Sequence, residues 1–366
     1  MEISLGIVGL PNVGKSTLFN ALTKKGIPAE NYPFCTIDPN IGVVIVPDER
    51  IDLITSLVKP KKTIYPYVEF YDIAGLVKGA HDGQGLGNQF LTHIRNTSAI
   101  VHVIRDFKNN DIIHVENRVN PKEDKEIIET ELILKDLETI EKSLIKVREE
   151  ARRDKKNEKY LTLVSDVKAV LEGGKLANTY IISDKDLDLE KYRKSLFLIT
   201  DKPVIYMINT EIDNCGDAKK DEYRTRLGLE KDAHIILMDV KVESEIAELD
   251  GEDRLEFMRE FGLEQSALDK LIKESYDELG LMSFFTEGPD EVRGWTIKKG
   301  YTAPQAAGEI HTDFMEKFIT AEVVAYNDFI ACQGSWVKAK ELGKMRLEGK
   351  DYIVKDGDLM VFRHGA

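Results

Sequence analysis

Over the first 125 residues, short apolar runs bounded by turn residues alternate with stretches of mixed polarity. Residues 3–8, 43–46, 67–71 and 99–104 are short and rich in β-branched side chains, the pattern of buried strands. Residues 204–208, which follow Pro203, and 235–238 add two more. Residues 17–23 read as the opening of a helix. Strands alternating with helices predict a mostly parallel sheet covered on both faces.

A different periodicity interrupts this between about residues 126 and 200. Ile133, Leu137, Ile140, Leu144 and Val147 recur at alternating spacings of four and three, and so do Tyr160, Val164, Val167 and Leu171. This predicts two helices packed as an antiparallel pair. Residues 149–159 between them are polar and highly charged, and Gly173-Gly174 is expected to end the second helix. A third region opens near Leu281. Residues 293–297, 352–354 and 359–362 look like strands, with a turn at 355–358. Residues 302–318 look helical, entered through Thr302 and Pro304. Together they predict a small α+β module.

Composition narrows the class. A chain of 366 residues, 42 % hydrophobic and 32 % charged, can build more than one globular core. No run of 18 apolar residues is present, so no membrane span is expected. The N-terminus enters a strand directly, without a leader pattern. Cys35, Cys215 and Cys332 are dispersed and odd in number, which suggests reduced thiols and a cytoplasmic location. A net charge of −14 argues against nucleic-acid binding over the whole surface. Local binding stays open, because Lys338, Lys340, Lys344, Arg346, Lys350 and Lys355 crowd one C-terminal stretch.

Chemistry is concentrated in Gly9-Leu10-Pro11-Asn12-Val13-Gly14-Lys15-Ser16, which fits the phosphate-binding pattern G-x-x-x-x-G-K-[ST] between a strand and a helix. Gly9, Asn12, Val13 and Gly14 would turn backbone N–H groups inward as a nest for phosphate oxygens. The helix start at Ser16 and Thr17 adds positive potential. Lys15 can reach the β and γ phosphates, and the Ser16 hydroxyl can ligate Mg²⁺. Asp72-Ile73-Ala74-Gly75 follows a strand as a D-x-x-G switch segment should. Asp72 would hold Mg²⁺ through water and the Gly75 N–H would meet the γ-phosphate. Thr36 is placed to complete the Mg²⁺ shell.

These segments resemble the Obg-like ATPases of the YchF type. The resemblance is carried by the phosphate loop, by Phe34-Cys35-Thr36-Ile37-Asp38-Pro39-Asn40 and by Asp72-Ile73-Ala74-Gly75-Leu76-Val77-Lys78-Gly79-Ala80. It extends through Gly83-Gln84-Gly85-Leu86-Gly87-Asn88-Gln89-Phe90, Asp111-Ile112-Ile113-His114-Val115 and Ala303-Pro304-Gln305-Ala306-Ala307-Gly308, and the run from Glu348 to Asp358. It implies a GTPase-like P-loop domain over residues 1–125 and 201–280, a helical coiled-coil insertion over 126–200 and a C-terminal TGS domain with a β-grasp over 281–366. It also implies a cytoplasmic ATPase switch whose partner is the ribosome or its RNA, with no membrane partner, and a monomer is expected.

The resemblance implies ATP in preference to GTP. GTPases read guanine with N-K-x-D and the family carries N-x-x-E, whereas this chain has Asn209-Thr210-Glu211-Ile212-Asp213 and departs from both. Backbone groups near Thr210 and the Asn209 amide, with Glu211 alongside, are the expected adenine contacts. The later base-flanking element is altered to Asp239-Val240-Lys241.

For hydrolysis, Lys15, Mg²⁺ on Ser16, Thr36 and Asp72, and the Gly75 N–H would supply charge stabilisation. Ras-like enzymes orient water with a Gln after D-x-x-G; here Leu76 stands there and cannot bond water. The resemblance offers His114 as orienter, and a K⁺ ion held near Asn12 is the alternative. GTP or dual specificity, a nucleotide-gated scaffold and a small-metabolite kinase remain open on the sequence alone, although no acceptor-pocket or lid motif supports the last.

Overall fold

The computed structural model describes residues 3–24, 40–72, 94–108, 118–182 and 186–365. Its strands are β1 (Ser4–Val8), β2 (Ile41–Ile45), β3 (Lys62–Ile64), β4 (Tyr67–Asp72), β5 (Ala99–Asp106), β6 (Val204–Thr210), β7 (His234–Met238), β8 (Leu281–Glu287), β9 (Glu291–Lys298), β10 (Phe318–Val324), β11 (Arg346–Glu348) and β12 (Leu359–His364). They form two six-stranded sheets, ordered β2-β4-β1-β5-β6-β7 and β11-β10-β12-β8-β9-β3.

The first sheet is parallel except at its edge, where β2 runs antiparallel to β4. Two-sided burial explains the near-continuous apolar runs of its strands. On β6, Ile205 and Met207 join one core, which also takes Leu18 and Leu22 of helix α1 (Lys15–Lys24) and Leu271 and Ile272 of the helix Ala267–Glu278. Tyr206 and Ile208 point the other way, into a core closed by Tyr223 and Leu227. The α/β P-loop class expected from the alternation is the class found. No described helix is long and apolar enough to cross a membrane, and Cys215 and Cys332 are free thiols.

The inserted arm has its own core. A 33-residue helix, Pro121–Arg153, starts at the Asn120 cap and packs Ile133, Ile140, Leu144 and Val147 against Leu163, Val164, Val167 and Leu171 of the helix Glu158–Glu172. Rising 1.5 Å per residue, the long helix spans about 50 Å. The polar connection is shorter than the charge pattern suggests. Glu, Lys and Arg are good helix formers, so the first helix runs through them to Arg153, and extended Asp154 turns the chain by accepting from Lys156 N. Gly173 caps the second helix and Gly174 takes the left-handed conformation (φ 72°). Buried Asp136 closes the base of the arm, accepting from Ile199 N at 2.9 Å and from Thr200 N and Thr200 Oγ1 at 2.7 Å.

Two details of the C-terminal reading are corrected. Residues 302–318 are not one helix. After Ala303–Ile310 the chain becomes extended at His311 (φ −160°, ψ 140°), whose Nδ1 caps a second short helix, Thr312–Glu316, and Phe318 already belongs to β10. Residues 352–354 form no strand, only a single bridge from Ile353 to Thr302. There Asp358 shapes the loop instead, accepting from Tyr352 OH at 2.7 Å and Lys355 N at 2.9 Å. The segment between β2 and β4 joins the second sheet. Helix α2 (Glu49–Val58) buries Ile51 and Ile54 with Phe285, Val292 and Phe329, β3 pairs in parallel with β9, and Arg50 reaches Asp356 at 2.7 Å.

Asp136→Ala would leave two backbone donors and a hydroxyl buried without an acceptor. The opening free energy of the helix Glu158–Glu172, measured by native-state hydrogen exchange, should fall by about 3 kcal/mol. Unchanged protection would show that the apolar core alone holds the arm.

Candidate nucleotide site

The candidate site lies where parallel α/β sheets place ligands, at the carboxyl ends of the strands. The loop after β1, the residue after β5, the end of β6 and the turn after β7 converge on a cleft of about 570 Å³, within the size range of small-molecule sites. Asn12, Gly14, Lys15, Ser16 and Thr17 line one side. Phe107 and Lys108, residues 209–211 and residues 239–241 line the rest.

Close approaches fix the loop. A Cβ on Gly9 would sit 2.5 Å from the Val103 carbonyl oxygen, so only glycine lets the loop leave β1 against β5. Gly14 has φ +103°, and a Cβ there would lie 2.5 Å from Asn209 Nδ2. Asn12 takes a left-handed φ of 63°, which asparagine tolerates better than most residues. Lys15 lies only 7 % exposed along the loop, its Nζ donating to the Gly9 and Leu10 carbonyls at 3.0 and 2.7 Å. Burial lowers its pKa to about 8, partly offset by the Asp72 carboxylate. Asp72 is half-buried, which raises its pKa, while Lys15 and a hydrogen bond from the Ser16 side chain pull it back. The fold thus brings the Asp72 carboxylate beside Lys15 and Ser16, which line one end of the cleft, while Asp72 itself does not line it.

At the other end Asn209 is a strut. Its Nδ2 donates to the Val13 carbonyl at 2.9 Å and its Oδ1 accepts from Val240 N at 3.2 Å. The amide thus ties the phosphate loop to the turn after β7 while also lining the cleft. The Thr210 side chain is turned away, towards the Asp106 carbonyl and Tyr223 OH. Glu211 stands on the exposed rim. Neither Ile212 nor Asp213 lines the cleft, and the Asp239 carboxylate caps its own helix by accepting from Lys241 N and Val242 N.

Gly9 and Val13 act from behind, through their carbonyls, and do not line the cleft. Thr36, Gly75 and His114 lie outside the described residues, as does Leu76. Sequence reasoning missed Phe107 and Lys108. The signal was the abrupt Arg105-Asp106-Phe107 after an apolar strand, an ending that pure core packing does not require. Among the described residues no cluster of three or more His, Cys, Asp or Glu side chains could hold a metal. One hydroxyl and one carboxylate, both hard oxygen donors, instead suit Mg²⁺, which keeps most of its waters.

Gly14→Ala tests the geometry. Because a Cβ must displace the Asn209 amide and occupy a left-handed backbone, nucleoside-triphosphate affinity should drop at least about tenfold with the thermal midpoint little changed. Wild-type affinity by calorimetry would show that the loop is not held by this contact.

Comparison with known proteins agrees with the geometry. The 50S ribosome-binding GTPase model (MMR_HSR1) matches residues 4–147, and YchF-GTPase_C, a model described as a protein of unknown function (DUF933), matches residues 281–365. The chain is 48 % identical over 367 residues to the ribosome-binding ATPase YchF of Bacillus subtilis, covering 99 % of both proteins. It is 45 % identical to Obg-like ATPase 1 of Gallus gallus, covering 99 % of this chain and 92 % of that one. The solved structure of the Schizosaccharomyces pombe YchF GTPase superposes with a TM-score of 0.87 at 37 % identity, covering 99 % of this chain and 98 % of that one. Two sheets, an inserted arm and a glycine-bounded phosphate loop, matched end to end at this identity, place the chain in the YchF family of Obg-like ATPases.

Proposed function

We propose that this protein is a Mg²⁺-dependent ATPase that hydrolyses ATP to ADP and phosphate and whose nucleotide state controls binding to the ribosome. The observation that carries the reading is Lys15 and Ser16 at the phosphate end of the cleft with Asp72 beside them, together with Ile212 standing three residues after Asn209, where a guanine reader keeps its carboxylate. A guanine base presents two donors to one fixed carboxylate. Here Asp213 faces solvent, Asp239 is committed to its helix cap and Ile212 cannot accept. Phe107 offers an aromatic face to a base without demanding guanine.

In this reading Lys15 neutralises the β and γ phosphates, and the N–H groups of Asn12 to Thr17 cradle their oxygens. Ser16, with Asp72 and Thr36, would hold Mg²⁺, which would supply positive charge to offset the charge developing on the phosphates. The Gly75 N–H meets the γ-phosphate. With Leu76 unable to orient water, His114 takes that role; a K⁺ ion held beside the phosphates with the help of Asn12 is the alternative. Basal turnover is slow because Leu76 cannot orient water, and a partner that promotes the reactive arrangement accelerates the reaction. Residues 1–125 and 201–280 form the nucleotide domain, 126–200 the arm and 281–366 the TGS module. The last two would supply the ribosome contacts of a monomeric, cytoplasmic protein.

The names of the full-length relatives, ribosome-binding ATPases, support the partner. Phosphate release from ATP, followed with and without ribosomes, should be slow alone and faster with them. Lys15→Ala should abolish tight ATP binding, and His114→Ala should lower turnover at least about tenfold while leaving ATP affinity within about twofold. Equal release with and without ribosomes would remove the switch, and wild-type turnover in the His114 variant would remove the orienter.

A further inference from the structure

The tip of β5 runs past the end of β1. The ladder to β1 stops at the pair Val8–His102, whereas the ladder to β6 continues to the pair Asp106–Thr210. Among the described residues the tip is therefore paired along one edge only, and a strand end with a single ladder frays unless side chains hold it. Successive side chains of a strand point to opposite faces, and this tip is held on both. On one face Arg105 Nη1 donates to the Asn12 carbonyl at 3.4 Å.

On the other face the Asp106 carboxylate, its side chain 13 % exposed, is gripped by the helix Lys220–Leu227. Its Oδ1 accepts from Arg226 Nη2 at 2.7 Å, and its Oδ2 accepts from Arg226 Nη1 at 2.8 Å and from Tyr223 OH at 2.7 Å. The Asp106 carbonyl accepts from Thr210 Oγ1 at 3.2 Å, and that hydroxyl lies 3.1 Å from Tyr223 OH. A bidentate Arg–carboxylate pair with a further donor is among the strongest and most directional of polar contacts. The helix does not need it to stay on the sheet. Tyr223 and Leu227 share a core with Ile104, Ile208 and Leu237, and Arg224 Nε donates to the Ala233 carbonyl at 3.2 Å. What the grip fixes is the chain at the end of the two strands. Phe107 and Lys108 follow Asp106 outside the strand, and they line the cleft together with Thr210 and Glu211. Arg226 and Tyr223 do not line it, so they act on a ligand there only through Asp106 and Thr210.

We propose that Asp106 is a positioning residue for the base end of the cleft: held by Arg226 and Tyr223, it sets Phe107 and residues 210–211 in place before a nucleotide base arrives. The inference rests on the nucleotide-site reading above and deepens it by naming what holds the base wall. A wall ordered in advance raises affinity for a ligand that touches it and leaves a ligand confined to the phosphate loop unaffected.

The test is calorimetry on the full-length chain with Mg²⁺-ADP and with Mg²⁺-pyrophosphate, the latter read by its displacement of ADP. Arg226→Met and Tyr223→Phe should each weaken ADP about fivefold while leaving pyrophosphate, which reaches the phosphate end alone, within about twofold. Arg224→Gln, which loosens the same helix without touching Asp106, should keep ADP within about twofold. Equal losses for ADP and pyrophosphate, an equal ADP loss in Arg224→Gln, or wild-type ADP affinity in both Arg226→Met and Tyr223→Phe would overturn the assignment. Where a variant does not fold, hydrogen exchange of the wild-type chain decides: saturating ADP should slow exchange at residues 106–108 and 223–226, and unchanged exchange there would overturn the inference. Absence of ADP binding by the wild-type chain would instead remove the nucleotide site, and this inference with it.

Discussion

The buried amide of Asn209 is the contact on which the site depends. It closes a triangle between the loop after β1, the end of β6 and the turn after β7, with one hydrogen bond to Val13 and one from Val240. Removing either partner would leave a buried amide group unpaired, so the three segments hold one another in place. Gly14 is the counterpart of that constraint, since any side chain there would occupy the space of the amide. Lys15 then has one short course open to it, along the carbonyls of Gly9 and Leu10. Its ammonium is held in a low-dielectric setting where an anion is worth more than in water.

Around this centre the two sheets are not independent bodies strung on a chain. The hairpin of β2 and β4 ends at Asp72 on one side and, on the other, inserts α2 and β3 into the second sheet. Arg50 locks that insertion, held by Asp48 within α2's own cap and by Asp356 in the loop before β12. The strand that delivers Asp72 is thus mechanically continuous with the second sheet, and the arm is tied to the first sheet through the root of its long helix. The second sheet thus connects to the strand that ends at Asp72, and the arm to the sheet whose strand ends carry the site.

Much of this was legible in the residues. Strand positions in the first sheet followed from apolar runs because two-sided burial leaves no polar face to confuse the pattern. The arm followed from its alternating spacing because a two-helix core admits only that stripe. The helix read at 302–318 failed for a local reason: His311 caps a new turn through its own ring, a contact that periodicity does not reveal. The crossing of β3 into the second sheet was hidden because a three-residue edge strand carries almost no pattern of its own. At the site, the phosphate-loop residues announced themselves by spacing. Asn209 was noticed as a base contact, but its tie between the phosphate loop and the turn after β7 depends on neighbours that a linear chain does not show. Phe107 and Arg105 depend on three-dimensional neighbours that no motif records.

The phosphate loop is built to hold a triphosphate, while Ile212 stands where a guanine-selecting carboxylate would. Parallel calorimetric titrations of ATP and GTP into the full-length protein with Mg²⁺ test this most directly. ATP should bind at least about tenfold more tightly than GTP, a difference of about 1.4 kcal/mol. Tighter binding of GTP would contradict it, because residues 209–213 would then be supplying the guanine-reading carboxylate that this geometry denies them.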